Sequence, residues 1–249
     1  MAGKGNVHLV MPMAGAGSRF SAEGYELPKP LLTIEEKPFF FWAVQSVVKF
    51  IQIDRLIFIV LKDHVEHFQI DQKIREYYPE AIIEVIPEVL NGPVLTSIEG
   101  IKHINDEKPF IINDCDHMFR CDAFNSFCNS GKFERIGGAV LSFVSDDPKF
   151  SFLQVDKSGN VIATAEKKVI SNQAICGVYY FESQSTFRSI VDEYLSNCAY
   201  KEYFISGLYN VLINHKKRVT YFTVDFHLPF GTPEEYKQAV QSDLFSLLL

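Results

Sequence analysis

Three short, almost purely apolar runs constrain this chain most. Val7-His-Leu-Val-Met11, Arg55-Leu-Ile-Phe-Ile-Val-Leu61 and Pro109-Phe-Ile-Ile-Asn113 carry apolar side chains without alternation. A strand with one wet face alternates, so an uninterrupted run predicts a strand covered on both faces, as in a parallel sheet. The segments between the runs have helical character. Pro38 suits the first position of a helix, and residues 39–50 after it read as a helix packed on the sheet. Residues 63–78 read as helical and 81–86 as a strand. Residues 93–104 place Val94, Leu95, Ile98, Ile101 and Ile104 at helical spacing. Alternating strands and helices predict an α/β chain, a parallel sheet wound with helices.

After residue 130 the pattern turns β-rich. Strands are predicted at 137–144 and 174–181, with a hairpin at 152–162 that turns at Lys157-Ser-Gly-Asn160. Helices follow at about 185–196 and 202–214, then a strand at 218–224. Thr232-Pro233-Glu234 supplies a cap, a proline and an acid for a final helix. No linker or repeat interrupts this, so a single domain of mixed sheet with a β-rich second half is expected. At 249 residues the chain is long enough for a full core.

Composition narrows the partners. The formal net charge of -7 argues against a general nucleic-acid partner, which favours a basic face. No run reaches transmembrane length, and the N-terminus lacks the pattern of a signal peptide. Cys115, Cys121, Cys128, Cys176 and Cys198 are scattered, with no Cys-x-x-Cys pair. That pattern predicts reduced thiols and a cytoplasmic protein. The apolar tail, Leu244-Phe-Ser-Leu-Leu-Leu249, is expected to dock on the body or on a neighbouring subunit, which allows a homodimer.

The first apolar run leads into Met11-Pro-Met-Ala-Gly-Ala-Gly-Ser-Arg-Phe20, with Pro28-Lys29-Pro30 close behind. Gly15 and Gly17 let backbone N–H groups turn towards an anion with no Cβ in the way. Arg19 and Lys29 add a bidentate fork and a point charge for phosphate oxygens. Such a loop suits a nucleoside triphosphate. The dinucleotide fingerprint wants a third glycine where Phe20 stands and an immediate helix, and Ser21-Ala-Glu-Gly-Tyr25 offers no such start. The P-loop needs Gly-Lys-Ser/Thr after its spacer, which the chain lacks. A solvated turn with stray charges is the plain alternative.

Ala14-Gly15-Ala16-Gly17-Ser18-Arg19 and Pro28-Lys29-Pro30 resemble the Ala-Gly-x-Gly-Ser/Thr-Arg and Pro-Lys-Pro elements of the nucleotidyltransferases that make nucleotide-activated sugars, the sugar-nucleotide pyrophosphorylases. The resemblance implies a Rossmann-like, three-layer mixed sheet similar to the glycosyltransferase-A fold. It divides residues 1–249 into a nucleotide-binding half, about 7–130, and an acceptor-binding half, about 131–249. It also implies that Ala14 to Ser18 cradle the triphosphate, Arg19 takes the leaving pyrophosphate and Lys29 the α-phosphate. Gly92 and Thr96, in Glu88-Val-Leu-Asn-Gly-Pro-Val-Leu-Thr-Ser97, are counterparts of the region that reads the base. A plain helix-start turn is compatible with that role.

Asn113-Asp-Cys-Asp-His117 stands at the C-terminal end of a predicted buried strand, where open α/β sheets bind ligands. Asp114 and Asp116 repel each other unless solvent or a cation offsets them. A Mg²⁺ held by one or two carboxylates and by phosphate oxygens does so. The alternatives are a helix cap or an exposed acidic turn, with His117 structural. Family members place a metal-binding Asp at this strand end, and spacing leaves open whether Asp114 or Asp116 corresponds to it. A second metal carboxylate is implied near an Asp-x-Gly-Thr-Pro element. Asp225 is the candidate, although Phe226-His-Leu-Pro-Phe230 separates it from Gly231-Thr-Pro233. Ala165-Glu-Lys-Lys168 resembles the family's Glu-Lys-Pro segment, which implies that Glu166 and Lys167 hold the acceptor, Lys167 at its phosphate. Lys168 stands where proline is usual.

The reaction implied is nucleotidyl transfer. An acceptor phosphate attacks the α-phosphorus of the triphosphate and pyrophosphate leaves, with Arg19, Lys29 and Lys167 as the catalytic cations. Asp114, with the glycine loop, is expected at the nucleotide and Asp116 at the acceptor. The atypical Glu-Lys-Lys and late Asp segments are similar to members that serve capsule or surface-polysaccharide decoration, among them cytidylyltransferases of small non-sugar phosphates such as phosphoglutamine. CTP is therefore the favoured triphosphate on resemblance. The alternatives are a metal-dependent glycosyltransferase of similar fold and a non-catalytic nucleotide-sensing subunit.

Overall fold

The computed structural model describes residues 6–131 and 136–249. The first half runs β1 (Val7–Pro12), α1 (Ser18–Ala22), β2 (Thr33–Ile34), β3 (Lys37–Pro38), α2 (Phe39–Val48), β4 (Ile53–Leu61), α3 (Lys62–Phe68), α4 (Ile70–Tyr77), β5 (Ile82–Ile86), α5 (Pro93–Ile101) and β6 (Phe110–Asn113). It continues with β7 (His117–Arg120), α6 (Asp122–Ser130), β8 (Ile136–Val144), β9 (Ser151–Val155) and β10 (Val161–Ala165). The rest is β11 (Gln173–Phe181), α7 (Gln184–Asn197), α8 (Ile205–Asn214), β12 (Arg218–Thr223), β13 (Phe226–Pro229) and α9 (Pro233–Ala239).

The three apolar runs become β1, β4 and β6, the middle of a nine-stranded mixed sheet. β5, β4, β1 and β6 lie side by side and parallel. Alternate residues of β1 reach opposite cores. Val10 packs with Ile59, Ile112 and Tyr209 on one face, and Leu9 and Met11 pack with Phe40, Phe58 and Val60 on the other. Both faces of the strand are apolar because both are covered, which gives three layers. The chain leaves β1 towards β4 and β5, and α5 then carries it back to β6 on the far side of β1. The C-terminal ends of β1 and β6 thus form the topological switch point, the place where such sheets bind ligands.

β11 joins the two halves. It runs antiparallel to β6 and β8, and β12 lies parallel to β8. One edge of β11 is shared by two strands set end to end. Residues 178–181 pair with β6 and residues 173–175 with β9. Between them Cys176 and Gly177 pair with neither strand, and on the other edge the register with β8 shifts between Ile175 and Tyr179. Gly177 has φ +84°, a backbone that favours glycine. This bulge opens a gap in the sheet, and the gap positions the site.

Several expectations change in detail. The helix expected at 63–78 is broken into α3 and α4 by Gln69, whose φ of 49° is left-handed. The turn lets Ile70 and Ile74 reach the core. α8 starts at Ile205 rather than 202. The ribbon of β7 and β13 was not expected. The residues that separate Asp225 from Gly231 are its second strand. The tail docks on its own body, with Phe245 4.7 Å from Trp42 and Leu248 buried. Burying an aromatic this way stabilises by roughly 1.5–3 kcal/mol. Among the described residues no helix is long and apolar enough to cross a membrane. All five cysteines are free, four of them buried.

Candidate active site

The gap between β6 and β9 opens into a cleft of about 300 Å³. Asp114, Asp116 and Arg19 line one side, and Ser151, Glu166, Lys167, Tyr179 and Phe204 the other. Each carboxylate is seated against a glycine. Asp114 N–H donates to the Gly177 carbonyl at 3.0 Å, and a Cβ on Gly177 would stand 2.5 Å from Asp114 Oδ2. Asp116 accepts the Phe230 N–H at its carbonyl, 2.9 Å away, and a Cβ on Gly231 would stand 2.5 Å from its Oδ2. Gly231 and Thr232 are fixed in turn by Glu235, which accepts both N–H groups at 3.0 Å and completes the capping box of α9.

Lys29 enters from the turn after Pro28. Its Nζ donates to Asp116 Oδ2 at 2.7 Å. The Lys29 Cβ also sits 3.5 Å from where Gly17 would carry one, so the glycine loop and this cation are packed together. Charge differs between the two acids. Burial and the neighbouring Asp116 push Asp114 up to about 7. Burial also works against ionised Asp116, but the Lys29 ammonium outweighs it and holds Asp116 below the usual carboxylate range. Lys29 is stabilised as a cation in return, against the effect of its own burial. Two acids with one cation between them leave the second acid short of positive charge.

The opposite wall is built on β9, β10 and the start of α8. Glu166 Oε2 accepts from Ser206 Oγ at 2.8 Å and also from the Ser151 hydroxyl. Lys167 follows with φ 49°, a left-handed conformation in a residue with a Cβ, and its Nζ lies 4.7 Å from the Phe204 ring. Such backbone strain concentrates at ligand sites. Lys149 lines the cleft and pairs with Asp147 and Glu235, each at 3.0 Å.

The structure therefore gathers Arg19, Asp114, Asp116, Glu166 and Lys167 round one cleft, with Lys29 bound to Asp116. Ala14 is buried, whereas Gly15, Ala16 and Ser18 are exposed at the end of β1, and nothing lies within 4 Å of a Cβ on Gly15. Gly92 and Thr96 stand beside the cleft rather than in it. Pro93 reaches the cleft, and the Val94 N–H is already bonded to the Tyr203 carbonyl at 3.0 Å. Gly92 has φ +103° and touches the backbone of Tyr203, where a Cβ would stand 2.5 Å from its nitrogen.

Asp225 is not brought to the cleft, contrary to its expected place in the metal site. Its N–H donates to the Arg120 carbonyl and its Oδ2 accepts the Asp122 N–H, both at 2.8 Å. It thus caps α6 at the far end of the ribbon, because Phe226 pairs with Arg120 while Pro229 pairs with His117. Lys149, Ser151, His227 and Tyr179 line the cleft without having been singled out. Lys149 and Ser151 come from the approach to β9 and its first residue, Tyr179 from β11 and His227 from β13, so no motif marks them. Among the described residues one His and carboxylate cluster lies elsewhere. His8, Asp54 and Asp106 meet at the N-terminal end of the sheet, where Lys108 Nζ is 3.0 Å from Asp54.

This architecture is shared with known proteins. The family model for nucleotidyl transferases matches residues 9–244. The chain is similar to the nucleoside-diphosphate-sugar pyrophosphorylase from Vibrio cholerae RC9, with a TM-score of 0.83 and 22% identity over 94% of this chain and 100% of that one. It is also similar to the inositol-1-phosphate CTP transferase from T. maritima, with a TM-score of 0.76 and 15% identity over 100% of this chain and 96% of that one. No curated protein matches in sequence. At these identities the solved structures speak for the fold, and the family match carries the assignment. The chain belongs to the nucleotidyl transferase family.

Proposed function

We propose that this chain transfers a nucleoside monophosphate, CMP by preference, from a nucleoside triphosphate to the phosphate of a small acceptor. The acceptor is a sugar phosphate or a small non-sugar phosphate such as phosphoglutamine. Pyrophosphate leaves, and the product serves capsule or surface-polysaccharide synthesis in the cytoplasm. The observation that carries the reading is the convergence of Arg19, the Lys29–Asp116 pair and Asp114 on one side of a cleft, with Glu166 and Lys167 on the other. CTP is preferred on the resemblance of the Glu-Lys-Lys and late Asp segments alone.

A phosphate oxygen is a nucleophile at neutral pH, so the reaction needs no general base. Catalysis is then positioning and charge stabilisation. The loop from Ala14 to Ser18 holds the triphosphate, Arg19 takes the charge that grows on pyrophosphate, and Lys29 sits at the α-phosphate. Lys167 anchors the acceptor phosphate, and Glu166, fixed by Ser151 and Ser206, holds an acceptor hydroxyl or amine. Asp114 and Asp116 offer hard carboxylate oxygens on one cleft, a donor set that fits Mg²⁺ together with phosphate oxygens. When bound there, Mg²⁺ offsets charge on the phosphates. Asp114 is the better ligand of the two because Lys29 occupies an oxygen of Asp116. The test is mass spectrometry after incubation with CTP, Mg²⁺ and a pool of phosphorylated small molecules. A product heavier than its acceptor by one CMP residue is expected, and its absence with every triphosphate overturns the proposal.

A further inference from the structure

The ribbon of β7 and β13 forms a cleft wall that contains two unused imidazoles. His117 and His227 both line the cleft, their rings 5.3 Å apart. The His227 ring sits 4.4 Å from Phe143, with Phe150 beyond it. Both its nitrogens are closed off from solvent and have no hydrogen-bond partner among the described residues, and the same holds for Nδ1 of His117. Asn113 orients His117. Its Nδ2 donates to the Ala43 carbonyl at 3.0 Å, so its Oδ1 accepts from His117 Nε2 at 2.9 Å. The backbone of Asp114 also lies beside the His117 ring, so His117 is held in place and the unpaired nitrogens that count are those of His227. Burial keeps His227 neutral, so it offers one N–H and one lone pair.

Buried polar atoms are nearly always paired, and each exception calls for an explanation, such as a water, an ion or a ligand that completes the bond. Here, among the described residues, both nitrogens of a ring that lines the cleft are unpaired. The wall has no spare charge, because Lys149 is held by Asp147 and Glu235, and Lys29 holds Asp116. We infer that His227, with His117 beside it, reads an uncharged group of the acceptor that both donates and accepts hydrogen bonds, a sugar or polyol hydroxyl or a carboxamide. This rests on the proposed phosphate-acceptor reading and adds the chemistry of the acceptor's other end. It also gives a role to β13, the segment that departs from the Asp-x-Gly-Thr-Pro spacing.

The test compares four probes by binding in the presence of CTP and Mg²⁺. Glucose 1-phosphate and inositol 1-phosphate carry hydroxyls, glycolamide phosphate carries a carboxamide, and propyl phosphate carries an apolar end. Wild type is expected to bind at least one polar-ended probe about tenfold or more tighter than propyl phosphate, and the probe preferred names the source of the chemistry. His227→Phe keeps the ring's bulk and should cut that preference by about fivefold or more, to what Glu166 alone supplies. His227→Gln keeps a donor and an acceptor and should retain most of it. Unfolding temperatures of the free variants report that they fold. A preference unchanged in His227→Phe overturns this inference alone, and equal binding of propyl phosphate by wild type overturns it together with the hydroxyl-holding role of Glu166. Failure of all four phosphates to bind overturns it together with the phosphate-acceptor reading.

Discussion

Replacing Gly177 with alanine tests how tightly the sheet bulge holds the Asp114 carboxylate. The backbone there has φ +84°, and the new Cβ would stand 2.5 Å from Asp114 Oδ2 and 3.1 Å from its Cγ. Ordinary contact begins at 3.4 Å, so the carboxylate must retreat by about 0.9 Å. The left-handed backbone costs about 1–2 kcal/mol in a residue with a Cβ, and the overlap adds about 1–3 kcal/mol. A chain of this size then loses roughly 5–15 °C in Tm. If Asp114 holds the metal as proposed, a shift of that size lowers turnover by roughly a hundredfold. The cause is separable by a double-mutant cycle. In an Asp114→Ala background the two closest atoms are gone and only the Cβ remains, at 3.2 Å, so Gly177→Ala should cost little beyond the backbone part, about 1–2 kcal/mol. Urea unfolding of the four proteins measures this. Equal costs in the two backgrounds, within about 0.5 kcal/mol, would refute the seating of Asp114 on Gly177.

The other predictions address charge. Arg19→Ala or Lys29→Ala should lower turnover about a hundredfold or more, equivalent to roughly 3 kcal/mol of transition-state stabilisation, as read by pyrophosphate release. Near-normal rates would remove either residue from the phosphate site. Asp114 is raised from 3.8 to about 7, so the stability that its protonated form lends is full below about pH 3.8 and is lost as pH rises through about 7. In EDTA, Asp114→Asn should therefore gain on wild type between about pH 4 and pH 7, by at most about 4 kcal/mol, and the gap should be flat above. Apparent Mg²⁺ affinity of the wild type should rise over the same range, as the ligand loses its proton. Asp225→Ala should leave the Mg²⁺ dependence unchanged and lower stability by about 1 kcal/mol through the cap of α6. A changed metal requirement would return Asp225 to the site.

How much was legible depended on how local the cause was. β1, β4 and β6 announce themselves because strands covered on both faces have no polar residues to interleave. The loop from Ala14 to Arg19 is legible because a glycine-rich turn and a cation sit within one short stretch. Asp114 and Asp116 follow from their place at a strand end. The bulge at Gly177 does not, because a lone glycine in an apolar strand has several readings, and only the pairing of β6 and β9 on one edge of β11 selects among them. The β7–β13 ribbon joins residues about a hundred positions apart, and each strand is four residues long, too short for a periodic signal. That ribbon also explains Asp225. Its motif neighbours Gly231 and Thr232 reach the cleft, while the inserted strand carries Asp225 itself to the helix it caps. Gln69 breaks a helix with no glycine or proline to mark the turn. Lys149, Ser206 and His227 each come from a separate element and meet only in the folded chain.

The most direct test of the central claim is pyrophosphate release, with Mg²⁺, from each of CTP, UTP, dTTP, GTP and ATP, with and without a pool of phosphorylated small molecules. Release is expected to require both one triphosphate, CTP, and the pool. Release of pyrophosphate without any acceptor, or none with any pairing, would contradict it, and the latter would turn attention to nucleotide-sugar cleavage or nucleotide sensing by the same fold.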